Sequence, residues 1–186
     1  MVDSSMPVLG YWKIRGLSQQ IKYQLEYCGV DYKEELYEQG DGPEFSRQTW
    51  LDVKPTLGLD FPNLPYWIDG DVKLTETVAI HKYIAAKYRP DLLLLNDPAG
   101  YATSEMAMNI VRDLKMKVTG PCYMNTIPLE EFVASIPDMF EALNKFFDGR
   151  KWCAGDRLSI PDFELVEMLE LCDYLTKGKI FEESKN

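Results

Sequence analysis

At 186 residues with 46% hydrophobic side chains, the chain can bury a sizeable core in one ordinary domain or two small ones, which excludes a disordered polypeptide. Thirty acidic residues against 20 basic ones give a formal charge of -10 with no basic cluster, so nucleic acid and anionic membrane surfaces are disfavoured partners. No apolar run is long enough to span a bilayer, and residues 1–20 carry Asp3, Lys13 and Arg15 without the apolar stretch of a signal segment, so the expected location is the cytoplasm.

Pro7 to Trp12 is a short apolar run that reads as a strand. Leu17, Ile21, Leu25 and Cys28 then recur at helical spacing before Gly29, a helix followed by a glycine stop. Asp31 to Tyr37 alternates as a second strand, and Gln39-Gly40-Asp41-Gly42-Pro43 reads as a loop or a poor turn of helix, so the opening unit is βαβ. Tyr66-Trp67-Ile68 and Val72-Lys73-Leu74 flank Asp69-Gly70-Asp71 as an antiparallel hairpin. Thr75 is placed to cap the next helix, which carries Ile80, Tyr83, Ile84 and Tyr88.

Strand signals stop after Arg89-Pro90. Met106, Ile110, Leu114 and Val118 repeat every four residues, and Phe132, Met139, Leu143 and Phe146 mark further helical faces. Near the end, Ser159 can cap a helix start while Asp162 reaches back to the Ser159 N–H, with Leu158 and Phe163 as a hydrophobic staple. This pattern is read as a folding device and not as a catalytic Ser/Asp pair. The expected architecture is α/β plus all-α: a βαβ-ββα domain over 6–88, a linker over 89–97 and an all-helical domain over 98–186.

Cys28, Cys122, Cys153 and Cys172 are widely separated and form no CxxC pair, which fits reduced structural thiols. The sole histidine, His81, is read as structural or surface-exposed, and one histidine rules out a multi-histidine metal site; no metal is expected. The glycines match neither GxGxxG nor GxxxxGK[ST]. With 10 basic and 13 acidic residues before residue 90, and 10 and 17 after it, an anionic ligand is more easily held by the first half. There the first strand ends at Tyr11 and Trp12, ahead of the loop Lys13-Ile14-Arg15-Gly16 and a helix start, a good place for an anion. Composition alone leaves Tyr11 with two readings: an aromatic at a sheet edge, or a phenol donating its proton to a bound thiolate. In the second, lowering a thiol pKa from 8.5 by about two units corresponds to roughly 2.7 kcal/mol.

Gly10-Tyr11-Trp12-Lys13-Ile14-Arg15-Gly16-Leu17, taken with Leu57-Gly58-Leu59-Asp60-Phe61-Pro62-Asn63-Leu64-Pro65-Tyr66, closely resembles the mu class of cytosolic glutathione transferases. The likeness continues through Arg47, Trp50, Asp69-Gly70, Leu74-Thr75 and Ala79-Ile80, and returns at Trp152, Ala154-Gly155-Asp156 and Asp162-Phe163. It implies a thioredoxin-like domain followed by an all-helical one that contributes the electrophile site, with glutathione as cosubstrate and small hydrophobic electrophiles as its targets. By the same resemblance Tyr11 is the catalytic residue, and Trp12, Arg47, Trp50 and Lys54 contact the peptide. Asn63, Leu64 and a cis Pro65 pair with its cysteinyl part. Glu76 and Thr77 stand where the mu pattern has Gln-Ser receiving the γ-glutamyl carboxylate, and Asp113 reaches the γ-glutamyl ammonium across a homodimer in which Phe61 enters the partner. Leu17 and Tyr123 are expected walls of the electrophile site. After Thr176-Lys177-Gly178 the sequence lacks the terminal helix and tail of that pattern. The alternative function is a noncatalytic glutathione or hydrophobic-ligand binder of the same fold.

Overall fold

The computed structural model describes residues 6–124 and 127–178; the side chains of Met139 and Tyr123 fall outside that description. The chain divides at Arg89 and Pro90 into two compact units. In the first, β1 (Val8–Trp12), α1 (Gln19–Cys28), β2 (Lys33–Tyr37), the short α2 (Gln48–Val53), β3 (Tyr66–Asp69), β4 (Val72–Thr75) and α3 (Thr77–Tyr88) follow in order. The sheet runs β2-β1-β3-β4, with β1 parallel to β2 and the other neighbours antiparallel. The βαβ and ββα patterns are present as expected, in the thioredoxin-like arrangement that the resemblance implies.

Period-2 alternation gives each strand two faces. Leu9 and Trp67 pack with Ile21 and Leu25 of α1 and Ile80 and Ile84 of α3. A second cluster gathers Tyr11, Tyr37, Trp50, Leu59, Leu64 and Tyr66. α1 ends where expected: Gly29 adopts a left-handed φ of 64° and returns its N–H to the last turn.

The second unit holds α4 (Pro98–Met124), α5 (Leu129–Phe147) and α6 (Ile160–Thr176). Asp97 opens α4 by accepting the Gly100 N–H at 3.0 Å, and that bond is the first cause holding its carboxyl below the usual range. The four-residue apolar repeat does not define the buried face of α4. Met106 and Ile110 are exposed, Leu114 is half-buried and Val118 is fully buried. Each four-residue step overshoots a 3.6-residue turn by about 40°, so the series spirals across the surface over three steps. Ala107, Val111 and Val118 instead join Phe132, Ile136, Phe140 and Leu143 of α5 and Leu165, Met168 and Cys172 of α6.

Ser159 and Asp162 form the expected capping box at α6. Asp162 accepts the Ser159 N–H at 2.8 Å and also the Cys153 N–H at 2.8 Å, so one buried carboxylate ties the preceding loop to the helix start. Burial pushes its pKa upward against those bonds. Cys153 and Cys172 are buried free thiols, both raised by burial, the second to about 12.

Candidate functional site

β1 ends at Trp12, and the chain turns through residues 13–18 into α1. Tyr11 is buried at that edge, and its hydroxyl accepts the Leu17 N–H at 2.9 Å. Gly16 permits this in two ways: its φ is +43°, and a Cβ there would lie 2.6 Å from the Tyr11 hydroxyl oxygen. The Leu17 side chain remains exposed while its backbone holds the phenol.

Behind Tyr11 lies an aromatic floor. Trp50 stacks on Tyr66 with centroids 6.1 Å apart and meets Tyr37 edge-on at 5.3 Å. The Tyr37 and Tyr66 hydroxyls are 2.8 Å apart, and burial first, then that bond, raises the Tyr66 phenol. Tyr37 is likewise raised, chiefly by burial. Gly10 lets the Tyr66 ring pass over β1, since a Cβ at that residue would lie 2.1 Å from the ring carbons. Trp12 adds an edge-on contact to Tyr37 at 6.5 Å.

Arg47 begins α2 as its N-cap residue and Lys54 ends it, so Arg47, Trp50 and Lys54 fall three and four residues apart on one face. Trp50 anchors that face in the floor; Arg47 is exposed and Lys54 half-buried. Leu64 and Pro65 are buried, joined by a cis peptide, and lead directly into β3. The Leu64 N–H is held by the Asn63 side-chain oxygen at 2.9 Å.

Thr75 does not cap α3. It is the last residue of β4, and its hydroxyl donates to the Phe61 carbonyl at 3.0 Å. The chain must reverse from strand to helix in one residue, and Glu76 makes that corner at φ 71°, ψ 117°, an uncommon conformation for a side-chain-bearing residue. Thr77, buried, is the first helical residue, and Glu76 is exposed beside it. The N–H groups of the first turn of α3 have no acceptor within the helix, which suits a carboxylate ligand. Phe61 projects 81% exposed.

The first unit thus brings Tyr11, Trp50 and Leu64 into one cluster with Trp12 against it, and places Asn63, Pro65 and Thr77 next to the strand ends of the same sheet. Asp113 is exposed on α4, and Tyr123 belongs to the last turn of that helix. Sequence reasoning passed over the pairing of Tyr37 with Tyr66, because partners 29 residues apart carry no local spacing signal, and the steric role of Gly16, because only the folded turn brings it against the Tyr11 hydroxyl. Among the described residues no group of three or more His, Cys, Asp or Glu could hold a metal ion.

The pattern of the glutathione S-transferase N-terminal domain matches residues 7–86, and that of the C-terminal domain matches residues 112–186. A glutathione S-transferase of Dermatophagoides pteronyssinus is 42% identical over 167 residues, covering 89% of this chain and 75% of the relative. The chain belongs to the glutathione S-transferase family. Glutathione S-transferase Mu 1 of Mus musculus is 38% identical over 165 residues, covering 88% of this chain and 74% of that protein. The crystal structure of the glutathione S-transferase Blo t 8 superposes with a TM-score of 0.81 at 33% identity, covering 95% of this chain and 82% of that one. A pi-class enzyme of Onchocerca volvulus shares the fold, also at a TM-score of 0.81. Among the described residues no helix is long and apolar enough to cross a membrane.

Proposed function

We propose that this glutathione S-transferase activates glutathione as a thiolate through Tyr11 and conjugates it to small hydrophobic electrophiles, as a mu-like member of the family acting as a homodimer. Transfer of the tripeptide to electrophiles follows from family membership. The observation that carries the role of Tyr11 is its hydroxyl, fixed at the strand edge by the Leu17 N–H over a glycine that leaves room for it. An N–H donated into the phenol oxygen polarises its O–H, which makes the phenol a stronger donor to sulfur. A hydrogen bond to the charged form stabilises the thiolate over the thiol.

In this reading the thiol proton leaves to solvent, the thiolate attacks the electrophilic carbon, and the new C–S bond forms as the leaving group departs with its electron pair. No covalent enzyme intermediate is required. Arg47 and Lys54 hold the glycyl carboxylate, Trp12 and Trp50 line the peptide, and the Leu64 backbone pairs with the cysteinyl part while Asn63 and Pro65 shape that turn. For that pairing the Leu64 N–H exchanges its Asn63 acceptor for the ligand carbonyl. Glu76 and Thr77 receive the γ-glutamyl end at the N-terminus of α3, with Asp113 of a second copy facing its ammonium. Leu17 is the wall proposed for the electrophile site from the first unit, and Tyr123 is assigned to that site by the resemblance alone.

The test is a steady-state assay with glutathione and a halogenated nitroaromatic, run on the unsubstituted chain and on Tyr11→Phe. The variant should bind glutathione almost unchanged, while the absorbance of the bound thiolate shifts to higher pH by about two units. A thiolate titration identical in both proteins removes Tyr11 from this role. Glutathione binding without conjugation by the unsubstituted chain would identify a carrier.

A further inference from the structure

Gln24 of α1 and His81 of α3 are completely buried, lie 57 residues apart, and are joined by two hydrogen bonds. Gln24 Nε2 donates to the His81 carbonyl at 3.0 Å, and Gln24 Oε1 faces His81 Nδ1. A carbonyl oxygen can only accept, so the amide nitrogen must face it. The amide oxygen then faces the ring, and Nδ1 carries the proton. The surroundings are apolar: Ile21, Leu25, Ile80 and Ile84 belong to the cluster between the same helices and the sheet.

Stability alone does not account for this pair. Two apolar side chains of similar shape hold such an interface about equally well, because the net gain of a buried hydrogen bond is small. What the pair adds is direction. Apolar contact is non-directional, so two helices packed by aliphatic side chains tolerate rotation and axial slip. A double hydrogen bond from one side chain to both ring and backbone of another residue does not.

The two partners stand on the helices that lead away from the two ends of the glutathione site. His81 follows Thr77 by four residues on the same face of α3, about 6 Å along the axis. Gln24 is the sixth residue of α1, a helix that starts two residues after Leu17, whose N–H holds Tyr11. We propose that Gln24 and His81 are positioning residues: their reciprocal bond sets the register of α3 against α1, and so the distance between the γ-glutamyl end at Thr77 and the sulfur end at Tyr11. The inference rests on the roles assigned above to Tyr11 and Thr77.

The test compares Gln24→Leu, His81→Leu, the double variant and His81→Asn, in which the amide nitrogen replaces Nδ1. Each leucine single should lower Tm, because one partner keeps polar atoms in an apolar interior. The double variant should regain most of that Tm. Its KM for glutathione should nevertheless stay about tenfold high with kcat within about threefold, a displacement of the two ends and not a loss of chemistry. His81→Asn should keep KM within about twofold of the unsubstituted chain. A double variant with normal KM overturns the proposal and leaves the pair a packing element. If the double variant does not fold, equal KM values for His81→Leu and His81→Asn overturn it instead. The register is also read without any assay: the amide NMR shifts of Leu17 and Thr77 should move in His81→Leu and return in His81→Asn, and unmoved shifts are equally decisive against it. Failure of the unsubstituted chain to conjugate glutathione sinks the Tyr11 reading, while these shifts still decide the register.

Discussion

A single added methyl on Gly16 would place its carbon 2.6 Å from the Tyr11 hydroxyl oxygen, inside the space the phenol needs to accept the Leu17 N–H. Gly16→Ala should therefore act on chemistry more than on folding. The backbone φ of +43° adds local strain, costing about 1 kcal/mol, whereas a displaced phenol loses its hold on the thiolate. The expected result is a kcat/KM lowered by at least about tenfold with a Tm change of only a few degrees. Unchanged kcat/KM would show that Tyr11 works from elsewhere.

Asp162 and Ser159 should separate in size of effect. Ser159→Ala removes one capping group and should cost the helical unit about 1 kcal/mol. Asp162→Ala strips the acceptor from two buried backbone N–H groups, those of Ser159 and Cys153, and should cost about 2–4 kcal/mol. Denaturant unfolding checks both, and equal losses would mean that the second bond carries nothing.

Alkaline pH should unfold the first unit through its tyrosines. Tyr37 and Tyr66 are raised by burial, and Tyr32 is pushed up to about 12 by burial and then by neighbouring Glu34 and Glu26. Unfolded tyrosines ionise near 10, so between that value and the folded ones the unfolded state binds fewer protons. Stability should therefore fall as pH rises above about 10. Ultraviolet titration should show phenols that ionise only as the fold is lost; reversible ionisation of every tyrosine near pH 10 in the folded protein would contradict it.

The proposed association of two copies predicts distinct failures for Phe61 and Asp113. Phe61 is an aromatic almost wholly exposed on the lone chain, and its carbonyl is held by Thr75. Phe61→Ala should weaken the dimer by a few kcal/mol and lower activity most at dilute protein. Asp113→Ala should leave association intact and weaken glutathione binding at every protein concentration. Sedimentation velocity with parallel glutathione titration distinguishes them; a Phe61→Ala protein still dimeric at nanomolar concentration removes the first half.

The order of the four strands with α1 and α3, and the start of α6, were determined by the sequence itself, because each depends on neighbours within one or two turns, whereas the six-residue α2 is too short to show a helical period. Gly29 closes α1, Gly70 turns the hairpin at φ 60°, and Ser159 with Asp162 starts α6, all through bonds spanning a few residues. The proposed outline of the site has another source: the segments 10–17 and 57–66 resemble a family pattern. Tertiary structure decided what depends on distance in sequence. Only packing shows that Trp50 rests on Tyr66 and that Gln24 grips His81, and only the corner from β4 to α3 transfers the turn from Thr75 to Glu76. The buried face of α4 was hidden for a geometric reason, since a four-residue repeat rotates away from a 3.6-residue helix and only the neighbouring helices select which residues are covered.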